Sequence, residues 1–400
     1  MSATRDRLAQ QGSAAGAAAV PAPLSTSLGG LEVVICCGSG GVGKTTVSAA
    51  LAAAMARTAG RRVMVLTVDP ARRLYAALGI RSAGPDAVVV PAARLRRAGI
   101  PVRGQLSAAM LDQKSAWDRM VERYAPDRRT ARRILASRFY QGISDAFVGS
   151  HEYIAMESLY ELHEAGEYDC VVVDTPPSRS TLDLLEAPER FSDFVGARLI
   201  SWLARPSGFG FRAMNLAAAP LMHVADRLLG GDVVGELADF VNDLQSLHAG
   251  VQQRARAVGR LLRSSRVGFV VVTTPEQAAC AEAEHFVSQL HELSMPLRAV
   301  VVNRVWPDCL TDDGAVRAAE AMVDDGRIAA GLGAALGSPV DAAALSAAGR
   351  SYSLLAGLAQ RDARRLAGLR RLAGVAVTQV PLIPQSVNDL EGLSRVAAEL

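Results

Sequence analysis

The sequence has almost no lysine. Of its 43 basic residues, only Lys44 and Lys114 are lysine. Where a cation merely has to exist, this chain uses arginine, so a retained lysine is a candidate for a role that needs an ammonium. Cysteine is also scarce. Cys36, Cys37, Cys170, Cys280 and Cys309 are scattered, and no C-x-x-C pair exists. That pattern excludes a disulfide framework and a ribbon-type thiolate zinc site. Cys36, Cys37 and Cys170 lie in apolar runs, where buried reduced thiols are expected, and the chain suits a reducing, cytoplasmic setting. Charge of neither sign dominates: the formal net charge is +3 over 400 residues. With aromatics at 5% as well, no nucleic-acid partner is expected. No apolar run reaches the ~18 residues of a transmembrane segment. The first thirty residues are rich in Ala, Gly, Ser and Pro. Their apolar stretch, Ala14–Val20, is alanine-based and lacks the leucine-rich centre of a signal peptide, so residues 1–30 read as a disordered tail.

What is present is a recurring pattern of short β-rich runs between helical stretches. Leu31–Cys37, Val63–Val68, Cys170–Val173, Gly268–Val272 and Ala299–Val302 are continuously apolar, and Val375–Val380 is similar with a polar break. Runs apolar on both faces suit a parallel sheet covered by helices on each side. The alternation predicts an α/β fold with a doubly wound, mostly parallel sheet, as one domain over residues 31–400. Two stretches interrupt it, from roughly 91 to 167 and from 188 to 265. Both read mostly as helix, and together they suggest an inserted helical subdomain. In the second, Val233, Leu237, Phe240, Val241, Leu244 and Leu247 fall at helical spacing.

Gly38-Ser39-Gly40-Gly41-Val42-Gly43-Lys44-Thr45 matches G-x-x-x-x-G-K-[ST] in full, with an apolar strand before it and a helix-forming run after it. Glycines let backbone N–H groups turn inward around phosphate oxygens, and the following helix adds its positive N-terminal end. Lys44 is expected on the β- and γ-phosphates, Thr45 on Mg²⁺ and Thr46 near the α-phosphate of a bound ATP. Val171-Val172-Val173-Asp174 is an apolar strand ending in a carboxylate, which a parallel sheet brings beside the nucleotide; Asp174 is expected to hold Mg²⁺ through water. Asp69, in Asp69-Pro70-Ala71-Arg72-Arg73, suits two roles. It fits a carboxylate that orients the attacking water, and it fits a turn opener or helix cap.

The chain resembles the cytosolic ATPases that comprise the arsenite-pump subunit and the tail-anchored-protein-targeting ATPase, a branch of P-loop proteins with a deviant Walker A motif, and is most like actinobacterial-type, anion-transporting members. The motifs carrying the likeness are Gly38–Thr46, Asp69-Pro70-Ala71, Asp174-Thr175-Pro176-Pro177 with Ser180-Thr181-Leu182, Thr273-Thr274-Pro275-Glu276, Val302-Asn303-Arg304 and Pro381-Leu382-Ile383-Pro384. They span nearly the whole chain after the tail. The resemblance implies an ATP-hydrolysing, dimeric switch. It implies that Asp69 positions the water, that Asp174 belongs to a magnesium-linked switch, that Asn303 meets the adenine edge, and that Pro381 and Leu382 pack on the base.

The chain departs from that pattern in three places. Many members carry a second lysine in the loop that reaches the partner's nucleotide across a dimer; here the position is Ser39. A paralogous partner supplying that lysine would make a heterodimer, and Arg72, Arg73 or Arg179 would be sources within this chain. The C-x-x-C zinc clasp and an arsenite cysteine triad are both absent. A weakly hydrolysing scaffold subunit is therefore the alternative to a self-sufficient ATPase. In the helical stretches, Phe209, Phe211, Met214, Leu216, Leu221, Met222 and Leu228 suit either a groove for an apolar client or membrane-protein partner, or an ordinary core face. Residues 91–133 carry eleven basic and four acidic side chains, a pattern more typical of a solvated helix face than of a binding surface.

Overall fold

The structure is a computed structural model. It describes residues 22–58, 60–68, 73–80, 87–140, 150–176, 233–324, 326–384 and 387–400. Eight strands form one sheet: β1 (Val33–Cys37), β2 (Arg62–Thr67), β3 (Val88–Val89), β4 (Gln105–Met110), β5 (Cys170–Asp174), β6 (Val267–Thr273), β7 (Leu297–Val305) and β8 (Ala376–Pro381). Their order is β3-β4-β2-β5-β1-β6-β7-β8. Every pairing is parallel except β3 with β4 at one edge. The doubly wound α/β expectation holds.

Successive side chains of a strand point to opposite faces, and β1 shows the result. Val34 and Cys36 join an apolar cluster with the helix Lys44–Met55 and the helix Leu390–Ala398. Val33, Ile35 and Cys37 join another with the helices Ser150–Ala165, Gln277–Glu292 and Ala342–Ala373. Both faces of β1 are therefore buried, which is why its sequence is apolar without alternation.

Two boundaries move. Within the stretch expected to be a disordered tail, Leu24–Ser27 is helical, Leu24 and Leu28 are buried, and the Ser25 amide donates to the Leu400 carbonyl at 2.7 Å. The expected helical stretch from residue 91 contains a strand, β4, paired along its whole length with β2. Its sequence, Gln-Leu-Ser-Ala-Ala-Met, is short and alanine-bearing, so it carries a helix-former's composition into a site where tertiary pairing decides the outcome.

Helices follow β4. Gln113–Tyr124 and Arg128–Ala136 are each capped by an aspartate, Asp112 and Asp127, whose side chain accepts from a backbone amide of the first turn. Trp117, Met120, Ile134 and Tyr140 from this stretch share one apolar cluster with Phe240, Leu247 and Val251 from the helices Val233–Ser246 and His248–Leu262. The two sequence insertions thus meet in a common core. The Phe209–Leu228 residues lie outside the described residues. Among the described residues, no helix is long and apolar enough to cross a membrane.

Candidate active site

Lys44 opens the helix that leaves β1 through the glycine-rich loop. Gly43 takes φ +93° as the N-cap and Gly38 takes φ +145°. Neither position has room for a side chain. A Cβ on Gly38 would lie 2.1 Å from the Val272 carbonyl oxygen of β6, and one on Gly43 would lie 2.3 Å from Asn303 Nδ2. The loop is therefore pressed against β6 and β7. Lys44 is buried, and its Nζ donates to the carbonyls of Gly38 at 2.9 Å and Ser39 at 2.8 Å, holding the ammonium over the loop.

Asp174 stands at the end of β5, level with Cys36 of β1 and with Thr67 of β2. One of its oxygens, Oδ2, accepts from Thr45 Oγ1 at 2.8 Å and from Thr67 Oγ1 at 2.9 Å. The sheet register brings these three residues together, and the carboxylate is fully buried. Thr175, the next residue, donates its hydroxyl to the Cys36 carbonyl at 2.9 Å. Cys36 and Cys37 just before the loop are not reactive groups: burial raises each thiol to about 12, so both stay protonated.

A cavity of about 540 Å³ opens over the loop. Gly40, Gly41, Gly43, Lys44, Thr45 and Thr46 line it from the loop side, and Arg73, Thr175, Arg304, Val387 and Asn388 are among its other walls. Among the described residues its lining carries three cations, Lys44, Arg73 and Arg304, and no carboxylate. Such a cavity favours an anion.

Other expected site residues are placed differently. Asn303 sits behind the loop, donating to the Val42 carbonyl at 2.9 Å and accepting the Arg304 amide at 3.0 Å. Pro381 and Leu382 do not line the cavity: the Leu382 amide pairs with the Val305 carbonyl at 2.8 Å, and Val387 and Asn388 take the wall instead. Asp69, Pro70, Ala71, Arg72, Pro177, Arg179, Ser180, Thr181 and Leu182 lie outside the described residues. Thr67, Arg304 and Asn388 were not anticipated as contributors. A hydroxyl at the end of an apolar strand is the only sequence signal that would have pointed to Thr67, whose strand pairs with the one that carries Asp174.

A glycine-rich loop between β1 and a helix, on a doubly wound parallel sheet, defines the class as a P-loop nucleoside-triphosphate hydrolase. The family model for anion-transporting ATPases matches residues 31–325, and the chain belongs to that family. It is an ATPase. Relatives include ATPase GET3 of Malassezia globosa, 26% identical over 278 residues, 69% of this chain and 73% of that protein. ATPase ASNA1 homolog of Entamoeba dispar is 26% identical over 286 residues, 70% of this chain and 78% of its own. ATPase ARSA2 of Chlamydomonas reinhardtii is 25% identical over 272 residues, 67% of this chain and 66% of its own.

Proposed function

We propose that the chain binds Mg·ATP in the cavity over Gly38–Thr46 and hydrolyses it as a dimeric switch whose nucleotide state governs a client or partner. The observation that carries this reading is the conjunction at the sheet's carboxyl edge. A lysine ammonium over a glycine loop, a Thr45–Asp174–Thr67 hydrogen-bonded set and a cavity lined by Lys44, Arg73 and Arg304 occur within one site. In this reading Lys44 binds the β- and γ-phosphates, and Thr46 lies beside the α-phosphate.

The donor set near Asp174 is all oxygen, which fits Mg²⁺. One carboxylate and one hydroxyl, with phosphate oxygens and water, is the arrangement magnesium adopts in such sites, and the ion would neutralise charge on the phosphates. Thr45 and Asp174 are the residues that would hold it, and Thr67 fixes the carboxylate. Asp69 is assigned to orienting the water, from its place two residues beyond Thr67 and from the family resemblance. Asn303 retains one N–H beyond its bond to Val42 and is the residue proposed for the adenine edge.

The apolar cluster shared by the two insertions supports a helical subdomain over roughly 91–167 and 188–265, its described part starting after β4. That subdomain is the proposed seat of an apolar client or membrane-protein partner. Ser39 favours a second reading: a weakly hydrolysing subunit paired with a paralogous ATPase that completes the site.

Steady-state hydrolysis by the purified chain, alone and with a co-expressed paralogue, measured with its mass in solution, separates the two. Turnover by a homodimer supports the first. Silence alone, with ATP bound and activity restored by the paralogue, supports the second. Asp69→Asn is expected to keep ATP affinity and slow turnover by about a hundredfold or more. Normal turnover in that variant removes Asp69 from its role.

A further inference from the structure

Arg304 is one of two non-glycine residues with positive φ among the described residues, at +61°. This left-handed conformation is disfavoured for residues with a Cβ, and such outliers cluster at functional sites. Glycine would occupy the position without strain, yet the chain has arginine. The surroundings hold the turn in place. Asn303 Oδ1 accepts the Arg304 amide while Asn303 Nδ2 grips Val42 of the loop. Beside it, the pairing of β7 with β8 shifts register between Val302 and Val305.

The consequence is where the side chain goes. Arg304 is exposed and lines the cavity over the loop, together with Lys44 and Arg73. Among the described residues its guanidinium makes no hydrogen bond or ion pair. An arginine tied to the loop through Asn303, with its guanidinium in a cavity whose described lining holds two further cations, is placed to meet an anion. Guanidinium groups bind phosphate oxygens through two parallel hydrogen bonds.

We infer that Arg304 is a nucleotide-binding residue that grips the phosphate chain from within the same subunit. It is a cation in cis, in a chain whose loop carries Ser39. The inference rests on the proposed ATP site. The left-handed turn fixes where the side chain leaves the backbone, beside the cavity; ordering the exposed guanidinium on the ligand still opposes binding.

The test is equilibrium binding to the full chain, using displacement of a fluorescent ATP analogue by ATP and by inorganic tripolyphosphate. The proteins are the wild type, Lys44→Ala and Arg304→Gly. Glycine keeps the left-handed backbone, so Arg304→Gly removes the guanidinium without disturbing the turn. It is expected to weaken ATP and tripolyphosphate alike, by about tenfold or more, with no fall in unfolding temperature. Unchanged ATP affinity overturns the inference. Weakened ATP with unchanged tripolyphosphate also overturns it, and assigns Arg304 to the base. A lowered unfolding temperature that accompanies the affinity loss assigns a structural role instead. If the wild type fails to bind ATP, or Lys44→Ala binds as the wild type does, the site reading itself falls and takes this inference with it.

Discussion

In the helical layer, Glu157 and Arg254 are 1% and 9% exposed and face each other at 3.0 Å. At the carboxyl edge of the sheet, Asp174 is equally buried but accepts from two threonine hydroxyls. Tyr124 also donates to Glu157 at 2.9 Å, and Glu164 takes a second nitrogen of Arg254. The Arg254 guanidinium further stacks 4.0 Å from the Tyr160 ring centroid. Burial pushes the Glu157 carboxyl up even with Arg254 beside it. The first cluster pairs Arg254 with Glu157 and Glu164, has Arg123 3.9 Å from Glu157, and joins three helices. The second holds a carboxylate through threonine hydroxyls and stands next to a cationic cavity. Buried charge alone does not mark a site; what distinguishes the two is that only the second stands beside the cavity over the glycine loop.

The largest test of that distinction is Lys44→Ala. Phosphate release is expected to fall to background, a loss of about a thousandfold, while the unfolding temperature stays near that of the wild type. Retained turnover would erase the functional side of the comparison. Arg254→Met should do the opposite. It strands a buried carboxylate and is expected to lower stability by about 3–5 kcal/mol, read from chemical denaturation, with kcat per folded molecule unchanged. Joint Glu157→Leu and Arg254→Met replacement should recover most of that loss. An Arg254→Met protein that stays stable but loses turnover would move this cluster to the functional side.

Thr67→Val sharpens the comparison on a smaller scale. The Mg²⁺ concentration for half-maximal turnover is expected to rise about tenfold, with ATP affinity little changed and Thr67→Ser restoring the response. An unchanged magnesium response would make Thr67 a packing residue only.

Much of this was legible in the sequence, for identifiable reasons. The loop residues Gly38–Thr45 are contiguous, so their geometry is written locally, and Asp174 follows an unmistakable apolar strand. Residues whose roles depend on distant partners were not legible. Thr67 matters because β2 lies in register with β5. Arg304 matters because Asn303 grips a loop 261 positions away. Strand β4 was hidden by its alanines, and the cavity wall fell to Val387 and Asn388 because the Leu382 backbone is committed to β7.

The helix that begins at Lys44 has one more implication. Every side chain from Val47 to Met55 is buried, mostly alanine, and packed between the sheet and the helix Leu390–Ala398. Interiors of this density have low compressibility. The helix therefore acts as a fixed axle: it has no soft flank to absorb displacement. In the proposed switch the give is expected at the other walls of the cavity, where Arg73 and Arg304 stand.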